Sequence, residues 1–337
     1  ADNAHANGVR FFLGHEVREI NKTSTGFRVG TGAGVDFEAK VLINSAGLYS
    51  DHICKMVGIK DYTIYPCRGE YLILDKGLKG SLSVLVYPAP RKGGAGLGIH
   101  LTNTVDGNIL IGPSNEYVDG PDDYACAADI IEQLKKEGHE LLPGISSADF
   151  IRNFSGLRPK QVPPGVGGFK DFVIEHRNDM PGFINLVGIE SPGLTCSPAI
   201  AQWVTGMVEG IVPLKKKDRF VKERPGRVEL FHELSPEEKA DLVAENPDYG
   251  EIVCRCDQIT KKEVLDAIEN PLGAMTVVGL KYRSRAMMGR CQGGFCLPRI
   301  VQIMQKDFGR KPEDYRLFST GSHLFTGWVR PEQESHV

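Results

Sequence analysis

Four late cysteines constrain this chain more than any other feature. They stand as Cys254-x-Cys256 and Cys291-x4-Cys296, with 34 residues between the pairs. Two close pairs on two loops are the ligand set of a [2Fe–2S] cluster or of a structural zinc ion. Zinc sites favour two to four residues between paired cysteines, so the single residue between Cys254 and Cys256 leans toward iron. A four-thiolate [2Fe–2S] core is anionic and gains a further negative charge on reduction. Arg255, Arg283, Arg285 and Arg290 flank the cysteines and would ease that charge. Gly289, Gly293 and Gly294 would let backbone N–H groups come close to sulfur. The remaining cysteines, Cys54, Cys67, Cys126 and Cys196, are scattered and read as buried thiols. A chain of 337 residues buries a core without disulfide staples, which points to a reducing, cytoplasmic setting.

Charge and length exclude several function classes. Lys plus Arg is 40 against 43 for Asp plus Glu, a balance that argues against a nucleic-acid surface. No apolar run approaches a membrane span. The opening ADNAHANGVR has neither an initiator Met nor the charged and apolar regions of a signal peptide, and the expectation is a fragment of a longer chain. The length suggests two or three domains.

The pattern opens as β. VRFFLGHEVREI, GFRVG and VDFEAKVLINSAG read as strands, and the last turns into a helix at LYSDHICKMVG. Strand, glycine turn and helix N-terminus is a unit that presents N–H groups to phosphate or flavin. YTIYPCRGEYLILD, SLSVLVYPAP, GLGIHLTN and NILIGP predict a mixed or antiparallel sheet, followed by a helix starting near Pro121. FVIEH and FINLVGI are further strands, and SPGLTCSPAIAQWVTGMVEGIV is a helix entered at Gly193. Residues 213–234 are polar and basic without a period. Ser235-Pro-Glu-Glu238 and Thr260-Lys-Lys-Glu263 are capping boxes that open helices. The final RPEQESHV is expected to fray.

IVCRCDQIT and RSRAMMGRCQGGFC together resemble the bacterioferritin-associated-ferredoxin-like (BFD-like) [2Fe–2S] domain. The version at the C-terminus of the anaerobic glycerol-3-phosphate dehydrogenase family of flavoproteins is the most similar. NSAGLYSD, FSGLRP and GIESPGLTCSPAIA resemble the flavin-contacting segments of that family, within the wider D-amino-acid-oxidase-like flavoproteins. The resemblance implies FAD contacts at Ala46, Gly47, Gly156, Gly188, Gly193, Leu194 and Thr195, and adenine contacts at Glu16 and Val17. It implies that Arg158 binds the anionic group of the substrate, for which a guanidinium fork is suited. Cys254, Cys256, Cys291 and Cys296 would hold the cluster, with zinc as the alternative. Beside the resemblance, Arg68 and Glu70 on the inserted sheet could face substrate. His100 is the best candidate base, because histidine titrates near neutrality; Tyr87 and Glu190 rank below it.

The implied fold is α/β (α+β). An incomplete FAD-binding Rossmann-like domain spans 1–60 and 151–212, and an inserted substrate sheet spans 61–150. A linker arm covers 213–245, a small helical [2Fe–2S] domain 246–310, and a tail 311–337. The G-x-G-x-x-G loop that opens the family is not found. Gly30-Thr-Gly32-Ala-Gly34 reads as a hairpin turn, and the glycines of 93–98 lie between strands with the wrong spacing. The fingerprint is therefore expected upstream, FAD binding by this chain alone is expected to be weak or absent, and the chain alone to be inactive.

The function implied is oxidation of a small anionic hydroxy compound such as glycerol 3-phosphate. Electrons would pass by FAD and the cluster to an acceptor subunit or quinone-linked partner, with the protein cytoplasmic or held peripherally at the inner membrane face. RGEYLIL, GIHLTNTVDGNILIGP and ESPGLT are also similar to L-2-hydroxyglutarate dehydrogenases, which keeps a 2-hydroxy acid open. A non-catalytic electron-transfer or assembly subunit, or a zinc-stabilised interaction module, are the other readings.

Overall fold

The polar run after residue 212 marks a boundary. The computed structural model describes residues 1–89, 98–223, 230–273, 276–318 and 321–327. It separates Phe12–Asp218 from a second unit made of Ala1–Phe11 and Arg219–Val337. The short helix α1 (Asp2–Ala6) belongs to the second unit.

The larger unit begins with an antiparallel meander of β1 (Val17–Lys22), β2 (Phe27–Thr31) and β3 (Asp36–Ala39). The β2–β3 turn runs through the first glycine cluster, where the Gly34 N–H donates to the Thr31 carbonyl. The strand predicted from Val9 starts only at Val17. Residues 11–14 are exposed, and Phe12 rests edge-on against Phe37 at 4.6 Å.

A second sheet has the order β10 (Val173–His176), β11 (Phe183–Val187), β4 (Leu42–Asn44), with β11 parallel to β4. Apolar residues on both faces explain why FINLV is buried throughout. Phe183 and Val187 join Phe27, Val29 and Cys54, the last from α2 (Ser50–Met56). Ile184 and Leu186 meet Val204 of α4 (Gly193–Glu209). Asn185 is polar inside this strand because its amide oxygen accepts from Asn44 at 2.8 Å and its Nδ2 donates to Glu175 at 3.3 Å. The Tyr62 hydroxyl donates to the same Glu175 oxygen at 2.6 Å.

The inserted sheet is antiparallel throughout. β5 (Tyr65–Leu74) lies at its centre, paired along its length with β9 (Phe150–Lys160). On its other edge it pairs with β7 (Ile109–Gly112) and β8 (Glu116–Tyr117), and β6 (His100–Asn103) continues the sheet beyond β7. Side chains alternate between faces. Leu72 and Leu74 join Leu101, Ile109 and Ile111 beneath α3 (Ala128–Leu141), whose Leu134 is fully buried. Gly138 of α3 lets Ile111 approach, since a Cβ there would lie 2.6 Å from Ile111 Cδ1.

Three local expectations change. SLSVLVYPAP makes only an isolated bridge, Val86 to Leu101, and residues 90–97 lie outside the described residues. α3 starts at Ala128 rather than near Pro121, because Glu70 Oε2 accepts the Ala127 N–H at 3.0 Å and sets the helix start by a tertiary contact. β9 is a full strand of the inserted sheet although Gly156 and Pro159 weaken its strand propensity; as an edge strand it tolerates the proline.

The second unit holds α5 (Pro236–Glu245), a two-stranded ribbon of β12 (Ile252–Cys254) and β13 (Ile259–Thr260), then α6 (Lys261–Glu269), α7 (Val277–Ser284) and α8 (Cys296–Phe308). Both capping boxes form, at Ser235 with Glu238 and at Thr260 with Glu263. Val253, Ile259, Val264, Leu280 and Ile300 build its core. RPEQESHV lies outside the described residues.

Leu134→Ala should destabilise the larger unit by about 3 kcal/mol in urea unfolding. Burial, and then its bond to Glu175, push the Tyr62 phenol up to about 12. A phenol raised from about 10 stabilises the fold fully below that pH and loses its contribution as pH climbs through the folded value. Unfolding free energy should therefore fall between about pH 10 and 12, and Tyr62→Phe should flatten that fall.

Candidate functional site

The four late thiols are set by elements that end at them. β12 terminates at Cys254 and α8 begins at Cys296, and both residues are buried. Arg299 of α8 ties the two elements by donating to the Ile252 carbonyl at 2.7 Å. Cys256 and Cys291 are exposed on the two loops, and all four thiols are free.

The sulfurs associate in two pairs. A hydrogen bond from the Cys296 thiol holds Cys254 down to about 6 against burial. Cys296, the donor, is pushed up correspondingly. Cys291 is lowered by the Phe295 N–H, with further help from the Gly293 N–H and Cys256. Cys256 accepts from the Cys291 N–H, yet burial and the neighbouring thiols outweigh that bond and leave it raised. Asp257 and Met287 N–H groups donate to Cys254, and Met287 also serves Cys296.

Backbone geometry explains this nest of N–H···S bonds. Met287 and Gln292 have φ of 68° and 48°, left-handed conformations that non-glycine residues rarely hold. Gly289 is obligatory, because a Cβ would lie 2.2 Å from Cys256 Cβ.

Four free thiols from two loops, with backbone N–H groups donating to their sulfurs, are a donor set that a two-iron centre can use. The four cysteines thus fit a [2Fe–2S] cluster. The flanking arginines are less uniform than the sequence suggests. Arg255 lies over the Phe295 ring at 4.3 Å, whereas Arg283 pairs with Asp2 at 3.5 Å.

The larger unit has a second concentration of chemistry, on the face of β5 and β9 opposite α3. Register places Cys67 against Arg158, Gly69 against Gly156, and Tyr71 against Phe154, the last two rings stacked at 5.0 Å. Arg158 Nη2 donates to Ser114 O and Asn115 Oδ1, both at 3.0 Å, and to Cys67 Sγ at 3.3 Å. Its Nε is buried without an acceptor among the described residues. Burial raises the Cys67 thiol, while Arg158 and Lys160 hold it back. Glu190, just before α4, acts on both Cys67 and Tyr117.

The expected FAD contacts divide into groups. Gly47 has φ of 55° and open space where a Cβ would stand, and Gly156 has the same open space. The Ala46 N–H donates to Asn44 Oδ1 at 3.2 Å. Gly193 and Cys196 N–H groups bond Glu190 and Pro192 carbonyls, so Leu194 and Thr195 supply the first-turn donors without intrahelical acceptors. These open positions suit a flat cofactor. Gly188 is instead filled, because Gln161 would lie 2.2 Å from a Cβ there. Glu16 and Val17 stand at the start of β1; Glu16 accepts the Gly32 N–H at 2.8 Å through its carbonyl and pairs with Arg18 at 2.7 Å.

His100, on β6, stacks on Tyr87 at 4.5 Å, and its Nδ1 bonds the Gly98 carbonyl at 3.0 Å. Tyr71 feels both Arg158 and Tyr87, which links His100 to the Arg158 face. Arg68 is not brought there. It points to the α3 face, with Glu70 at 3.1 Å and Asp123 at 2.8 Å. Sequence reasoning overlooked Lys160, two residues beyond Arg158 and so on the same strand face; the period-two rule would have found it.

Residues 1–207 match the model of the FAD dependent oxidoreductase family, and residues 252–306 match the BFD-like [2Fe-2S] binding domain. A glycerol 3-phosphate dehydrogenase of Caloramator mitchellensis is 38% identical over 98% of this chain and 67% of its own length. An anaerobic glycerol-3-phosphate dehydrogenase chain of Escherichia coli is 26% identical over 90% of this chain and 60% of its own. The FAD-bound glycerol-3-phosphate dehydrogenase of Bacillus halodurans shares the fold with a TM-score of 0.62 at 14% identity, over 93% of this chain and 68% of that one. The chain spans from about a third to two thirds of the length of the curated relatives it matches. No described helix is long and apolar enough to cross a membrane.

Gly289→Ala should lower bound iron per chain by more than about half, since the new Cβ displaces Cys256. Gly309→Ala, at a left-handed position with open space, should keep its iron at a cost of about 1 kcal/mol in stability.

Proposed function

This chain belongs to the FAD dependent oxidoreductase family, and from that premise we propose that it serves a dehydrogenase oxidising a small anionic hydroxy compound, glycerol 3-phosphate foremost. The observation that carries the reading is Arg158, whose buried Nε has no acceptor among the described residues and which lies beside the open space at Gly156. A bound flavin supplies the hydride acceptor, and a [2Fe–2S] cluster held by Cys254, Cys256, Cys291 and Cys296 supplies a one-electron carrier.

The chain's own residues do the rest. Arg158 holds the anionic end of the substrate through its free donor edge. The Leu194 and Thr195 N–H groups at the start of α4 stabilise negative charge that develops near them. The Gly98 carbonyl must accept from His100 Nδ1, so neutral His100 carries its proton there. Its Nε2 is then unprotonated and takes the hydroxyl proton. Exposed Cys256 and Cys291 mark the edge from which electrons leave for an acceptor subunit or quinone-linked partner. A 2-hydroxy acid such as L-2-hydroxyglutarate is the second reading, because a guanidinium fork also suits a carboxylate.

The test uses the FAD-loaded holoprotein, anaerobically, and follows flavin bleaching. Glycerol 3-phosphate should bleach it at a rate proportional to protein, and Arg158→Ala should slow this about tenfold or more. Bleaching by L-2-hydroxyglutarate alone reassigns the substrate, and bleaching by neither contradicts the reading.

A further inference from the structure

Lys160 is the residue of the Arg158 face whose state the proposed reaction leaves unexplained. It is 7% exposed, yet among the described residues its ammonium makes no hydrogen bond or ion pair; it lies over the Phe169 ring at 5.4 Å. Its stem is buried and its ammonium stays without a counter-charge, so the charge is available to an anion that comes to this face. Beside it, Arg158 Nε is buried without an acceptor among the described residues.

The two cations are arranged to share one partner. Arg158 and Lys160 are two residues apart on an extended strand, on one face and roughly 7 Å apart along the backbone. Cys67, paired with Arg158 across the ladder, feels both of them. Glu190 is the acid that acts on this face among the described residues, which leaves two positive charges against one negative.

We propose that Lys160 and Arg158 together form the seat for a doubly charged phosphate head group, with Lys160 the residue that selects phosphate over a single carboxylate. The inference rests on the reading of Arg158 as the anion-binding residue. Arg158 supplies a directional fork that either anion satisfies. Lys160 supplies a point charge that only a group with further charge and acceptor oxygens at the same centre uses fully.

Calorimetric titration of the purified chain with inorganic phosphate, glycerol 3-phosphate and lactate tests this without requiring turnover. Wild-type protein should bind the first two. Lys160→Met should weaken both about tenfold or more while changing lactate less than about twofold, and Lys160→Arg should restore most of the loss. Unchanged thermal unfolding of each variant separates charge from folding. Equal weakening of lactate and phosphate, no weakening at all, or no phosphate binding by wild-type protein overturns the proposal. Glycerol 3-phosphate binding that survives Lys160→Met overturns Lys160 but leaves the substrate reading standing. Phosphate binding that depends on Lys160, without glycerol 3-phosphate binding, supports the seat and sinks that substrate.

Discussion

The larger unit hangs from the ladder between β5 and β9, which run antiparallel from Tyr65 against Lys160 to Leu74 against Phe150. A ladder of that length fixes which side chains share a face, and a slip of one residue would exchange the two sets. One face is apolar and closed by α3. The other carries Cys67, Tyr71, Arg158 and Lys160 beside the paired glycines Gly69 and Gly156. Burial of Leu72 and Leu74 under α3 thus places Arg158 as surely as any contact Arg158 makes itself. Arg68 and Glu70 fall on the closed side, where Glu70 caps α3 at Ala127 and Arg68 neutralises it.

The small unit reaches its chemistry by another route. Its core fixes two thiols directly, at the end of β12 and the start of α8, while the two exposed thiols depend on loop conformation. Left-handed Met287 and Gln292, with Gly289 and Gly293, turn the loops so that N–H groups meet sulfur. The Phe295 N–H lowers Cys291, the Cys296 thiol lowers Cys254, and thiolate is the form that binds iron. Two thiols fixed by the core and two by the loops supply the four sulfurs that a BFD-like [2Fe-2S] domain, the match of residues 252–306, calls for.

What could be read beforehand was mostly local chemistry. Cysteine spacing, two capping boxes and the strand FINLV each carry their signal within a few residues, and each stands where the pattern puts it. The features that escaped are set across the fold. β9 reads poorly as a strand because Gly156 and Pro159 lower its propensity, and only pairing with β5 makes it one. The start of α3 depends on a carboxylate some sixty residues earlier in the chain. The strand expected from Val9 stops short because only residues from Val17 onward find a partner in β2. Lys160 was within reach of simple alternation, but its lack of a counter-charge shows only in three dimensions. The left-handed turns at Met287 and Gln292 leave no mark in residue type.

That the four late thiols hold two irons is the claim on which the redox reading stands, and metal content tests it most directly. Protein purified without oxygen is to be analysed for iron, zinc and acid-labile sulfide on one sample, alongside its visible spectrum. About two irons and two sulfides per chain, with broad bands that bleach on dithionite, is the predicted result. About one zinc per chain and no sulfide would contradict it, leaving the small unit a structural clip.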